Sequence, residues 1–146
     1  MGNKVKTWSL LAKRMQMHAS EALADALKAG DRLAALQRTE VRLNELRADY
    51  VARLVVVEGG RHTMSENMNC RRYIAHVDEL RGRLAWQLVA AQEELAHAKQ
   101  VHQGLEVECA KLTQLAERAL EAERCRLRAG EQARLDALAI TRFNLR

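Results

Sequence analysis

Apolar residues recur at every seventh position along two long stretches of this chain. A seven-residue apolar repeat keeps one stripe of a long helix facing a partner helix. The chain also contains no proline, the residue that most strongly ends a helix. The first series is Trp8, Met15, Ala22, Ala29, Leu36, Leu43, Tyr50 and Val57. The second series is Val77, Leu84, Ala91, Ala98, Leu105, Leu112 and Ala119. The pattern predicts an all-α fold built from two long helices.

A polar, glycine-rich segment separates the two series. Gly59 and Gly60 lie at its start, and serine and asparagine are frequent up to Asn69. We expect a first helix over about residues 5–57, a turn over about 58–69 and a second helix over about 70–143, with Asn69 as its N-cap. Gly30 interrupts the first helical pattern at a cost of ~1 kcal/mol relative to alanine, and we expect the helix to continue through it. The predicted fold is a long antiparallel two-helix coiled-coil hairpin, forming a single domain over residues 1–146.

Three apolar groups do not fit a two-helix seam alone. Residues 55–57 are three consecutive valines, which point in three directions around a helix, so either Met64 and Met68 cover them or a partner does. A second group surrounds Tyr73. The third is a stripe at the end of the chain, formed by Leu135, Leu138, Ala139 and Phe143. Because the second helix is longer than the first, this last stripe has no helix of the chain to pack on, which points to a protein partner.

Composition and charge exclude several classes of function. A two-helix seam offers little room for an enclosed pocket, so we expect no enzyme and no small-molecule substrate. The net charge is +5, but acids are interleaved with the bases and aromatic residues are only 3% of the chain, which disfavours a nucleic-acid binder. No apolar stretch is long enough to span a membrane and no signal peptide is recognisable, so we expect a cytoplasmic protein.

No motif for a cofactor or a metal ion is present. The five histidines include no HExxH pair, and Gly59-Gly60 lacks the lysine and hydroxyl residue of a phosphate-binding loop. Cys70, Cys109 and Cys125 are widely spaced, which fits free thiols, and Cys109 is expected to pack as a small apolar residue. We therefore expect no catalytic, cofactor-binding or metal-binding residues.

Three segments resemble one family. The chain opens with Trp8-Ser9-Leu10-Leu11-Ala12 and two basic residues, and residues 71–74 read Arg-Arg-Tyr-Ile before Val77 and Leu80. Residues 131–142 read EQARLDALAITR. These segments are similar to the opening, the start of the second helix and the closing signature of the FliJ family, the coiled-coil component of flagellar type III export.

The resemblance implies a function and a set of partners. Members are stalk-like hairpins whose terminal ends enter the hexameric ring of the export ATPase, and which also contact the export-gate membrane protein and export chaperones at the inner face of the cell membrane. The implied gate-binding residues are Thr39, Leu43, Leu46, Tyr50, Tyr73, Val77, Leu80 and Leu84. The stripe at the end of the chain suggests the ATPase-binding residues Gln132, Arg134, Leu135, Leu138, Arg142 and Phe143.

Alternatives remain open at this point. Leu43, Tyr50, Val77 and Leu84 belong to the seven-residue series, so they could face the internal seam as readily as a partner. A generic dimerising coiled-coil scaffold would pair its helices between chains, whereas the hairpin requires a monomer. An injectisome stalk protein would share the same pattern, and a basic helical nucleic-acid binder is the least favoured alternative.

Overall fold

The computed structural model describes residues 2–60 and 63–145, and within them it contains two helices. Helix α1 spans Gly2–Gly59 and helix α2 spans Met64–Asn144. The helices run antiparallel. Arg32, near the middle of α1, contacts Glu94, whereas Glu58 at the end of α1 contacts Arg71 near the start of α2. The prediction of an antiparallel two-helix hairpin is confirmed.

The two apolar series form the seam of the hairpin. Every residue of both series is buried or half-buried, and the most buried is Val77, which is 2% exposed. A second line of residues beside each series completes the seam, with Ala12, Ala19 and Ala26 on α1. The alternating three- and four-residue spacing of these lines is the spacing of a coiled coil.

The chain divides into two compact units. The terminal unit comprises Met1–Ala22 and Val101–Arg146, and the tip unit comprises Leu23–Gln100. Among the described residues of the terminal unit, Ala19 and Ala22 are buried. The buried side chains of the tip unit are Ala26, Ala29, Val77, Leu84 and Ala91. Alanine predominates because its small side chain lets two helix backbones approach closely. The single domain expected over residues 1–146 stays a prediction.

The connection between the helices is shorter than the sequence suggested. Asn69 lies inside α2, so the prediction that it caps the helix is wrong. Thr63 precedes α2 instead, and its Oγ1 accepts a hydrogen bond of 3.3 Å from the backbone N–H of Glu66. This is the N-cap interaction of a Thr-x-x-Glu capping box, a pattern that is visible in the sequence. Arg61 and His62, which belong to the predicted turn, lie outside the described residues.

Helix α1 continues through Gly30, as expected. A Cβ atom at this position would meet Leu95 Cδ1 at 3.9 Å, which is ordinary van der Waals contact. The glycine is therefore not required for close approach of the helices.

Candidate partner-binding surfaces

Two stacked tyrosines mark the outer part of the tip unit. The rings of Tyr50 on α1 and Tyr73 on α2 lie 3.9 Å apart between centroids and are inclined by 23°. The Arg53 guanidinium carbon lies 5.1 Å from the Tyr50 ring centroid, within the range of a cation–π interaction. Partial burial, followed by a hydrogen bond with Tyr73, raises the pKa of Tyr50. The pair thus joins the two helices and leaves one aromatic ring accessible, because Tyr73 is 42% exposed.

The eight residues suggested for gate binding separate into two groups in the structure. Val77 and Leu84 are buried in the seam, at 2% and 5% exposure, so their side chains are not available to a partner while the hairpin is closed. Three of the eight are exposed, namely Thr39, Leu46 and Tyr73, and Leu43, Tyr50 and Leu80 are half-buried. The exposed and half-buried residues lie beside the seam on both helices of the tip unit. They form what we call the tip-unit surface.

A cluster of charged and polar side chains, absent from the sequence-based predictions, ties the helices together at this surface. Asp78 accepts hydrogen bonds from Arg47 Nε at 2.7 Å and from Arg81 Nη1 at 3.1 Å. Arg81 Nε also donates to Asn44 Oδ1 at 2.9 Å. The hydrogen bond from Arg47 is the main reason that the pKa of Asp78 is lowered, and Arg81 adds to the effect. Because the paired side chains are about 40% exposed, each of these ion pairs contributes little to stability.

Within the part of the chain that the structure describes, no helix lies beside the final part of α2. Every described residue from 124 to 145 is exposed. The six residues suggested for ATPase binding all lie in this segment, which we call the α2 extension. Its exposed large apolar side chains are Leu127, Leu135, Leu138, Ile140, Phe143 and Leu145. A helix with this many uncovered apolar side chains is typical of a protein-binding segment.

The end of the hairpin at which α1 connects to α2 also carries exposed apolar side chains. Val55 and Val56 are each 65% exposed, and Met64 and Met68 are 81% and 49% exposed. The two methionines therefore do not close the tip over the valines. An open groove remains beside them, lined by Ala52, Arg53, Val56, Val57, Glu66, Asn69 and Cys70.

Metal binding, membrane spanning and the cysteine thiols can each be checked among the described residues. Among the described residues, no cluster of three or more His, Cys, Asp or Glu side chains could hold a metal ion. No described helix has an apolar stretch long enough to cross a membrane. Cys109 Sγ lies 4.0 Å from the Ala12 carbonyl oxygen, so this thiol packs against α1 as expected.

Comparison with known proteins gives one match. The model of the family described as flagellar FliJ protein matches residues 9–146, nearly the whole chain. No curated protein and no solved structure matches. The matched region contains α1 from residue 9 onward and all of α2, including the tip-unit surface and the α2 extension. The chain therefore belongs to the FliJ family, a family of flagellar protein export components.

Proposed function

We propose that this protein is the central stalk of the flagellar export ATPase ring and an adaptor to the export gate and export chaperones. In this role it is non-enzymatic and cytoplasmic, and it attaches peripherally to the inner face of the cell membrane. The observation that carries the proposal is the α2 extension, a helix that continues past the seam with its apolar side chains uncovered.

The distribution of apolar residues around the α2 extension favours a partner that surrounds it. Leu135 and Leu138 are three residues apart and share one side of the helix, as do Ile140 and Phe143. At about 100° of rotation per residue, the two pairs are centred about 140° apart, and the four side chains together cover about 200° of the helix circumference. A flat partner surface can cover one pair, whereas the central channel of a ring covers both.

Polar groups in the same segment suit a protein channel. Arg134 and Arg142 flank the apolar residues, and both are exposed. Gln132 Nε2 donates a hydrogen bond to Asp136 Oδ1 at 3.1 Å, an i,i+4 pair that supports the helix without a neighbouring helix. The arginines are therefore available to acidic residues or carbonyl groups of the ring.

The ATPase role is tested by mixing the full chain with the cognate export ATPase. We expect the chain to raise hexamer formation and ATP hydrolysis, and deletion of residues 132–146 to abolish both effects. Two double variants locate the contact, Leu135→Ser with Leu138→Ser and Ile140→Ser with Phe143→Ser. The matched control is Val101→Ser with Val107→Ser, because these valines are 43% and 54% exposed but precede the α2 extension.

A surrounding ring requires both double variants to lose stimulation while the valine control keeps it. Loss in only one double variant would indicate a flat contact and contradict the central-stalk geometry. Circular dichroism of each variant establishes that its helix content is unchanged. Absence of any effect of the wild-type chain on ATPase assembly would overturn the proposal.

The adaptor role is assigned to the tip-unit surface. Tyr73 and Leu46 are its accessible large side chains, at 42% and 39% exposure. We expect Tyr73→Ala to weaken binding to the cytoplasmic part of the export-gate membrane protein in a pull-down or by calorimetry. Trp86→Ala is the control, since Trp86 is 80% exposed on α2 but thirteen residues away, on another side of the helix. Equal binding by wild type and Tyr73→Ala would place the gate contact elsewhere.

Pairing of the helices within one chain favours a monomer over a dimerising scaffold. Cross-helix ion pairs such as Arg32 with Glu94, at 2.6 Å, are already made inside the hairpin. Light scattering coupled to size exclusion should give the mass of one chain, 16.5 kDa. A mass of two chains would favour the scaffold alternative.

A further inference from the structure

We propose that the groove between the end of α1 and the start of α2 binds an amphipathic helix of another protein, one that carries an acidic residue beside its apolar side. We call this site the tip groove. Its α1 wall lies between Ala52 and Val57, and its α2 wall lies between Glu66 and Cys70. All of these residues belong to the tip unit, whereas the stalk proposal places the α2 extension of the terminal unit in the ATPase ring. The groove shares no residue with the tip-unit surface, so the inference goes beyond the proposed function.

The tip groove has the size and the lining that suit apolar side chains of a helix. Its volume is about 540 Å³, within the range of protein pockets that bind ligands. Val57 and Cys70 are half-buried and form its apolar base. Ala52 and Val56 are exposed and continue the apolar lining to the edge. Because its walls are two antiparallel helices, an added helix can lie along the groove and insert its apolar side chains between them.

Two methionines extend the apolar surface at the start of α2, the helix that forms one wall. Met64 is 81% exposed and Met68 is 49% exposed. The methionine side chain is unbranched and flexible, so it adapts to the shape of a partner. Large apolar side chains that stay exposed near a groove are typical of a protein-binding site.

The charges of the groove favour an acidic partner. Among the described residues that line it, Arg53 and Glu66 are charged. Glu66 lies in the first turn of α2, where the helix N-terminus stabilises a carboxylate. Arg53 makes no ion pair with a described residue, and its guanidinium carbon lies 5.1 Å from the Tyr50 ring centroid. Arg53 is therefore the charge that a carboxylate of the bound helix would complement.

The same charges disfavour a second copy of this chain and a lipid surface. The other uncovered apolar segment of the chain is the α2 extension, and residues 124–145 contain five arginines against two acidic residues. Such a basic helix is repelled by Arg53. Glu58 and Glu66 both lie at the connecting end of the hairpin, and carboxylates beside the apolar side chains oppose contact with anionic lipid.

The experiment measures binding of two labelled synthetic peptides to the full chain by fluorescence anisotropy at physiological ionic strength. Each peptide has about 20 residues, enough to form a helix, and carries one leucine stripe. Glutamates flank the stripe in one peptide, and lysines replace them in the other. The apolar test variant is Val56→Ser. Its matched control is Val55→Ser, because both valines are 65% exposed but Val55 does not line the groove.

We expect the wild type to bind the glutamate peptide more tightly than the lysine peptide. Val56→Ser should weaken binding of the glutamate peptide by about fivefold, since the valine is covered in the complex, and Val55→Ser should bind as the wild type does. Arg53→Gln should reduce the preference for the glutamate peptide by about threefold, as expected for an exposed ion pair. Arg53→Lys should keep the preference because it keeps the charge, and Arg38→Gln controls for loss of a distant exposed cation on α1.

Four results would overturn the inference. Equal losses in Val55→Ser and Val56→Ser would show that binding is not localised in the groove, and equal affinity of the wild type for both peptides would remove the role of Arg53. Light scattering that shows self-association lost in Val56→Ser would assign the groove to a second copy. Sedimentation with anionic vesicles that is lost in Val56→Ser would assign it to a membrane. The peptide assay contains neither the ATPase nor the gate protein, so this inference and the proposed function can each fail alone.

Discussion

Replacing Leu84 by alanine should destabilise the hairpin rather than remove a partner contact. Leu84 is 5% exposed and belongs to the seam, although the family resemblance suggested it for gate binding. Burying a leucine side chain contributes about 2 kcal/mol through transfer from water. The cavity left by truncation brings typical Leu→Ala costs in protein cores to about 2–5 kcal/mol. A two-helix seam is one layer thick and can close partly around the gap, so we expect a loss of about 2–3 kcal/mol.

Urea unfolding followed by circular dichroism measures this loss. The control is Leu46→Ala, which truncates the same side-chain type at 39% exposure and should cost under about 1 kcal/mol. Gate binding should respond in the opposite order, with Leu46→Ala weakening it and Leu84→Ala leaving it intact at temperatures where the variant is folded. Equal stability of the two variants, together with loss of gate binding only in Leu84→Ala, would refute the assignment of Leu84 to the seam.

Four further measurements test the structure. Gly104→Ala should stabilise α2 by about 1 kcal/mol, seen as a higher melting temperature, because a Cβ atom there meets no atom within 4 Å. The lowered pKa of Asp78 means that its ionised form stabilises the fold above the ordinary carboxyl range. Asp78→Asn should therefore be less stable than wild type at neutral pH, with the difference shrinking as the pH falls below about 4. Tyr73→Phe leaves Tyr50 as the only tyrosine, and alkaline absorbance titration should show its pKa falling towards the ordinary value as the hydrogen bond is lost. Amide hydrogen exchange should be fast in the α2 extension and slow around Val77, and added ATPase should protect the extension.

The seam could be predicted from the sequence because a seven-residue repeat leaves few other arrangements. The series through Ala29 on α1 and Val77 on α2 correctly identified the most buried residues of the tip unit. The division between seam and partner surface could not be predicted for Val77 and Leu84. A seam residue and a partner-binding residue are both apolar and lie on one side of a helix. Only the position of the facing helix distinguishes the two.

The sequence places the start of α2 too late because asparagine is typical of turns. Asn67 and Asn69 both lie in the first two turns of the helix. Asn67 Oδ1 accepts a hydrogen bond of 2.8 Å from Arg71 Nε, so its polar side chain is satisfied on the helix surface. Such an i,i+4 pair removes much of the competition with the backbone that normally makes asparagine a poor helix former. The Thr63-x-x-Glu66 pattern was the stronger local signal.

The cross-helix cluster around Asp78 could not be predicted at all. Arg47, Asp78 and Arg81 are ordinary exposed-type residues in the sequence, and their pairing depends on the register between the helices. That register depends on the length of the connection, which the misplaced start of α2 left uncertain by about six residues. A shift of one residue would rotate Asp78 by about 100° and take it away from Arg47.

The α2 extension is helical without a partner because it continues an existing helix. Starting a new helix costs a nucleation step, whereas each residue added to a formed helix gains one backbone hydrogen bond for each residue fixed. The coiled coil of α1 and α2 therefore acts as the nucleus for residues 124–144, and local pairs such as Gln132 with Asp136 add small increments. A binding segment prepared in this way loses little conformational entropy when a partner closes around it. Its apolar side chains nevertheless stay uncovered, since every described residue of the extension is exposed. The difference in length between α1 and α2 thus leaves a preformed helix whose uncovered apolar side chains cover more than half of its circumference, a form that suits a central stalk in a ring.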